Sequence, residues 1–107
     1  IYGLDDAVRG AHKLLRPGGV LLATVSGISQ VSRYDMDRWG DYWRFTVLSA
    51  ERLFSGHFHE VAVKGYGNVF AAKAFLDGLS VEDVNDTGLL DFYDEDYTVT
   101  IGVFARK

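Results

Sequence analysis

The stretch HKLLRPGGVLLATV, residues 12–25, decides the fold of this chain. Its first part ends an amphipathic helix, and Pro17 followed by Gly18 and Gly19 predicts a stop and a tight turn. The run from Val20 to Val25 is apolar without polar alternation, which is typical of a strand that is covered on both faces. A helix, a glycine turn and a doubly covered strand predict an α/β fold.

The segments on either side extend this pattern. Upstream, Leu4, Ala7, Val8 and Ala11 recur at helical spacing. Downstream, the pattern predicts four elements: a short helix capped by Ser49 and closed by Gly56, a strand from Val61 to Tyr66, a helix capped by Asn68 and ending at Gly78, and a last strand from Tyr97 to Phe104 that alternates apolar and small residues.

Composition limits the classes of protein to which the chain can belong. With 107 residues, 48% hydrophobic, residues 1–107 are expected to form one domain. The absence of cysteine excludes a disulfide scaffold, and a net charge of −4 disfavours nucleic acid as a partner. No apolar run is long enough to cross a membrane, so a cytoplasmic protein is expected. The isoleucine at position 1 suggests a processed chain or an excised fragment.

Two polar clusters raise the question of a metal site. Residues 81–96 hold seven acidic and no basic residues, but they lack the spacing of a calcium loop, so a solvated loop is expected. His57 and His59 share one face of an extended segment, and Glu60 lies on the other. We therefore expect no metal site.

The segment from Tyr34 to Phe45 is the least ordinary, because it holds five of the fifteen aromatic residues in twelve positions. It follows the end of the first strand, where open α/β sheets bind ligands. One interpretation is a substrate-side loop that stacks on and hydrogen-bonds a polar acceptor. The other is that the aromatic residues pack the loop onto the sheet while Arg44 pairs with an acid such as Asp41. The candidate substrate-side residues are Arg33, Tyr34, Asp35, Trp39, Asp41, Trp43 and Arg44.

Residues 12–25 are similar to the helix, Pro-Gly-Gly turn and fifth strand of class I S-adenosylmethionine-dependent methyltransferases. Residues 28–30, the block WGDYWRFT at 39–46, and residues 65–69 before a helix resemble a bacterial group of these enzymes that is often associated with glycosyltransferases. The resemblance covers essentially the whole chain, but only the C-terminal half of the family's domain.

This resemblance implies a partial Rossmann-like sheet of three strands in the order 5-7-6, with the last strand antiparallel in the middle and helices flanking it. It also implies a methyltransferase acting on a small molecule or a sugar. The family's cofactor-binding half has no counterpart here, so S-adenosylmethionine is expected in an intact parent but not on this chain alone, which is expected to be inactive. Only Ile1 and Tyr2 would lie near the cofactor, and no catalytic residue is identified.

Two alternatives to an enzyme half remain. A non-catalytic interaction domain would use the same half-sheet for oligomerisation, whereas a nucleotide-dependent oxidoreductase fragment has no supporting motif. If the family's strand order is carried over, the strand from Val20 to Val25 lacks the neighbour that covers it in the intact sheet, which predicts a homo-oligomer through that edge. An aromatic cleft bounded by Tyr34, Trp39 and Arg44 would favour an acceptor site, and a flat apolar patch would favour a partner surface.

Overall fold

The last strand of the chain lies at the centre of a three-stranded sheet in the computed structural model, which describes residues 1–107. Strand β1 (Val20–Ser26) and strand β2 (Glu60–Tyr66) each pair antiparallel with β3 (Thr100–Arg106). The spatial order is β1-β3-β2, so β1 and β2 are both edge strands and run in the same direction.

Four helices accompany the sheet: α1 (Leu4–Leu14), α2 (Arg33–Met36), α3 (Val47–Ser55) and α4 (Val69–Asp77). Between α4 and β3 the chain forms short 3₁₀ helices at Val81–Asp83, Thr87–Leu90 and Glu95–Tyr97. None of these helices has the length and apolar character needed to span a bilayer. The mixed α/β class is thus confirmed as a small antiparallel sheet with flanking helices.

The hydrophobic core lies on one face of this sheet. Ile101, Val103 and Ala105 of β3 are at most 3% exposed. They pack with Val8 of α1 and with Phe54 of α3. Period-two alternation explains why these three side chains share one face, and the helical layer is held by contact with that face.

The opposite face of the sheet is open, so the prediction that β1 is covered on both faces is wrong. Exposure alternates along β1, and Leu22 is 75% exposed. Ala62 and Tyr66 of β2 are also exposed on this face. The apolar run of β1 places hydrophobic residues on both faces of the sheet. The helices of this chain cover only one of these two faces.

Two predicted element boundaries are also wrong. The strand β3 begins at Thr100 rather than Tyr97, because the Asp94 carboxylate accepts the amide of Asp96 and starts a 3₁₀ turn. Helix α3 is capped by Thr46 rather than Ser49; the two residues exchange side-chain and backbone hydrogen bonds in a capping box.

The capping predictions for α4 are confirmed. The Asn68 side chain accepts the amide of Ala71 at 2.9 Å, and Gly78 ends the helix at φ 72°. Asn68 is fully buried and its amide group also donates to the carbonyls of Leu89 and Phe92. One side chain therefore fixes both α4 and the second half of residues 81–96, which we call the acidic segment.

The chain is more open than its length requires. Its radius of gyration is 15.5 Å, whereas about 13 Å is typical of a compact domain of this size. Its accessible surface is 7381 Å², roughly 1,400 Å² above the value expected for this mass. The excess reflects a sheet that is packed on one face only.

Two glycine substitutions test this packing. A Cβ on Gly27, which is buried directly after β1, would overlap the carbonyl oxygen of Thr98. We expect Gly27→Ala to lower the free energy of unfolding by about 2 kcal/mol.

Gly10 lies inside α1 with nothing within 4 Å of its Cβ position, so Gly10→Ala should raise that free energy by about 1 kcal/mol. Urea unfolding measures both, and equal midpoints for the two variants would contradict the packing described.

Candidate functional site

An open cleft of about 900 Å³ lies at the carboxyl ends of β1 and β2. Because these two strands run in the same direction, the segments that follow them meet at one edge of the sheet. The start of α3 and the segment before β3 complete the walls. The lining residues are 27–29, 44–48, 63–65, Tyr93, Glu95, Asp96 and Thr98. We call this depression the carboxyl-end cleft.

Tyr93 shapes one wall of the carboxyl-end cleft. Its hydroxyl lies 2.9 Å from Oγ1 of Thr98, and its ring lies where a Cβ on Gly65 would be. The carbonyl of Gly67 accepts the amide of Asp94 at 2.9 Å, which fixes the acidic segment beside the end of β2. A side chain at position 65 would therefore require the exposed Tyr93 ring to move.

Two of the three unpaired charges that line the carboxyl-end cleft are negative, and the third is the ammonium of Lys64. The carboxylates of Glu95 and Asp96 are exposed and make no hydrogen bond or ion pair. Arg44 lines the same cleft, but its guanidinium is already paired with Asp41. The unpaired groups therefore favour a neutral or cationic ligand over an anionic one.

Arg44 holds its own loop together. It binds both carboxylate oxygens of Asp41 at 2.7 and 2.8 Å and donates to the carbonyls of Gln30 and Trp43. The Asp41 carboxylate, only 15% exposed, also accepts the amide of Ser32 at 2.8 Å. The bond from Arg44 and then that from Ser32 hold the pKa of Asp41 well below its usual range, and the bond to Asp41 raises the pKa of Arg44.

In the first half of the aromatic segment, which runs from Tyr34 to Phe45, side chains bond to one another. Nε1 of Trp39 donates to the Asp35 carboxylate at 3.0 Å. The guanidinium of Arg38 lies 3.5 Å from the centre of the Tyr34 ring, and the rings of Tyr34 and Trp39 form a T-shaped pair. Arg33 begins α2 at the surface, and its side chain makes no hydrogen bond or ion pair.

The second half of the aromatic segment meets the start of the chain. Nε1 of Trp43 donates to the carbonyl of Tyr2 at 3.1 Å. The Tyr2 ring lies 5.6 Å from Trp43 and 5.3 Å from Tyr42, centre to centre. Ile1 lines a shallow hollow of about 250 Å³ here, together with Trp39. The structure thus brings the predicted cofactor-side residues against the predicted substrate-side loop.

The predicted residues do not form one site. Ile1, Asp35, Trp39, Asp41 and Trp43 line the small hollow, whereas Arg44 lines the carboxyl-end cleft. Tyr34 lines neither depression, so the predicted aromatic boundary of Tyr34, Trp39 and Arg44 is divided between different surfaces. A substrate role for these side chains stays a prediction.

Sequence reasoning missed most of the carboxyl-end cleft. It assigned the acidic run to a solvated loop and did not connect Tyr93, Glu95, Asp96 and Thr98 with the end of β2. One available signal was Gly65, because a glycine inside a strand pattern marks close approach of another group.

The His57 side chain meets a single carboxylate rather than a cluster of metal-binding groups. Its Nε2 atom lies 2.8 Å from a carboxylate oxygen of Asp5 in α1. No group of three or more His, Asp or Glu side chains is arranged to hold a metal ion.

Comparisons with protein-family models, with curated proteins and with solved structures found no match for this chain. The expected relation to methyltransferases rests on the sequence motifs alone, and both the family and the activity are proposals.

The Asp41–Arg44 pair predicts a specific pH dependence. Because the pKa of Asp41 is lowered on folding, its ionised form stabilises the folded state above its ordinary pKa of 3.8, and this contribution falls as the pH drops below that value. We expect Asp41→Asn to be less stable than the parent chain at pH 7 and the difference to shrink between pH 4 and pH 2.

Urea unfolding at each pH measures this difference. Asp37→Asn is the matched control, since the Asp37 carboxylate is exposed and unpaired. A difference between Asp41→Asn and the parent chain that stays constant down to pH 2 would contradict the role of the ion pair.

Proposed function

We propose that this chain forms the acceptor-side half of a class I S-adenosylmethionine-dependent methyltransferase domain with a Rossmann-like sheet, and that residues outside the chain hold the cofactor. The observation that carries the proposal is the carboxyl-end cleft, because open α/β sheets bind their ligands outside the carboxyl ends of the strands. The order β1-β3-β2 is compatible with the family's last three strands.

The lining of the cleft supports a polar, uncharged or cationic acceptor, such as a sugar or an amino sugar. The hydroxyls of Tyr93 and Thr98 offer donors and acceptors, and the free carboxylates of Glu95 and Asp96 can accept hydrogen bonds from hydroxyl or ammonium groups. The same carboxylates repel phosphate. In this proposal the chain's own residues bind and orient the acceptor, which is the main requirement of a methyl transfer.

The residues of this chain do not fit the cofactor itself. Gly18 and Gly19 form the turn at the amino end of β1, which is the end opposite the cleft. Gly65 is covered by Tyr93, and Gly67 packs against Val99. Neither glycine pair combines an open approach with a position at the cleft, and we propose that the isolated chain is inactive.

A second candidate function is a non-catalytic interaction module. The open sheet face supports it, because Leu22, Ala62, Gly102 and Phe104 form a shallow apolar depression of about 360 Å³ on that face. The acceptor would bind in the carboxyl-end cleft, whereas a partner would bind on the open sheet face. Mapping the binding surface therefore distinguishes the two functions.

Amide chemical shifts of the full 107-residue chain test the proposed function. We expect simple methyl glycosides and methyl amino glycosides to shift the resonances of Tyr93, Glu95 and Thr98 saturably at millimolar concentration. Glu95→Gln combined with Asp96→Asn should weaken binding of the amino glycoside several-fold, because it removes both free carboxylates. Asp77→Asn, at an exposed position at the end of α4, is the control and should leave the binding unchanged.

Titration with S-adenosylhomocysteine completes this experiment. We expect no binding at millimolar concentration. Micromolar binding would show that the cofactor site lies within the chain. The absence of any saturable shift at the cleft with every glycoside would overturn the acceptor site.

A further inference from the structure

The two edges of the sheet differ in how well they resist pairing with another strand. The β2 edge carries Glu60 and Lys64 and includes Gly65, which are features that disfavour pairing. The β1 edge, from Val20 to Ser26, has no charged residue, no proline and no glycine. Only β1 therefore presents an unprotected edge.

The pairing register of β1 with β3 determines which backbone amides and carbonyls of β1 face outward. Lys107 donates to Gly19, and Gly27 donates to Val99, so the odd-numbered residues of β1 bond to β3. The even-numbered residues then point their amides and carbonyls outward. The carbonyl of Ser26 does so and accepts the amide of Phe45 at 2.8 Å.

The other outward groups belong to Val20, Leu22 and Thr24. No loop of the chain pairs with them. They form a set that is symmetric about Leu22, which is the arrangement that an antiparallel copy of the same strand needs. A two-fold axis at Leu22 pairs Val20 with Thr24 of the second copy and uses only free groups, about six hydrogen bonds in total. An axis at Ala23 would instead require the carbonyl of Ser26, which is already bonded.

We propose that a second copy of this chain pairs with β1 antiparallel about a two-fold axis at Leu22, which joins the two sheets into one of six strands. The side chains fit this register. Leu22, 75% exposed in the single chain, meets its own counterpart on the open face. On the core side, Leu21 lies beside the smaller Ala23 of the copy.

The charged β2 edges remain outermost, so the pairing closes at two copies. This inference concerns the 107-residue chain by itself and does not rest on the proposed function.

Light scattering and sedimentation of the purified chain between micromolar and submillimolar concentration test the dimer. We expect the mass to rise to twice that of the monomer. Leu22→Lys places two ammonium groups together at the axis, and we expect it to raise the dissociation constant at least tenfold. The control Leu14→Lys makes the same change at a position that is 91% exposed on α1, and it should remain dimeric. A monomeric parent chain at every concentration, or a mass that grows beyond two copies, would overturn the proposal.

Disulfide trapping tests the register, because the chain has no cysteine of its own. Residues opposite each other in a hydrogen-bonded antiparallel pair have Cα atoms about 5.5 Å apart, which a disulfide spans. We expect Leu22→Cys to cross-link two copies on mild oxidation and Leu14→Cys to do so far less. A dimer in which Leu22→Cys does not cross-link faster than Leu14→Cys would contradict the axis. Circular dichroism matching that of the parent chain establishes that each variant is folded.

Discussion

The pairing of β3 between the two other strands is the constraint on which the rest of the structure depends. Both strand pairs of the sheet include β3, and Ile101 and Ala105 are fully buried at the centre of the core. Because β3 is contributed by the last residues of the chain, β1 and β2 have no hydrogen-bonded neighbour until it is in place. The Lys107 ammonium then donates to the carbonyls of His12 and Leu15 at the end of α1, so the same segment also anchors the first helix.

A sheet built around one central strand with helices on one face leaves two kinds of surface for function. The carboxyl ends of β1 and β2 point the same way and border the carboxyl-end cleft, which Tyr93 and the acidic segment complete. The other face holds a shallow apolar depression, and the β1 edge has no charged residue, with Leu22 mostly exposed. The proposed acceptor site and the proposed strand pairing therefore use different surfaces of the chain.

Much of this fold is predictable from local patterns in the sequence. The amphipathic period of α1, the Asn68 and Gly78 caps of α4, and the range of β2 follow from side-chain chemistry within a few residues. What sequence reasoning missed depends on distant contacts. The open face of β1 depends on whether another element is available to cover it, and the carboxyl-end cleft depends on Asn68 holding the carbonyls of Leu89 and Phe92. The Asp41–Arg44 pair was considered in advance, but not the four hydrogen bonds that Arg44 makes to backbone carbonyls and to Asp41 at 2.8 Å or less.

Residue-resolved amide hydrogen exchange tests the central claim, a sheet centred on β3 with an open β1 edge, most directly. The measurement requires the lowest practical protein concentration, at which strands of separate molecules do not pair. Protection should be continuous from Ile101 to Ala105, because successive β3 amides bond alternately to β1 and β2. In β1 it should alternate, with Leu21, Ala23 and Val25 slow and with Leu22 and Thr24 fast. Uniform protection along β1, or fast exchange within β3, would contradict the account.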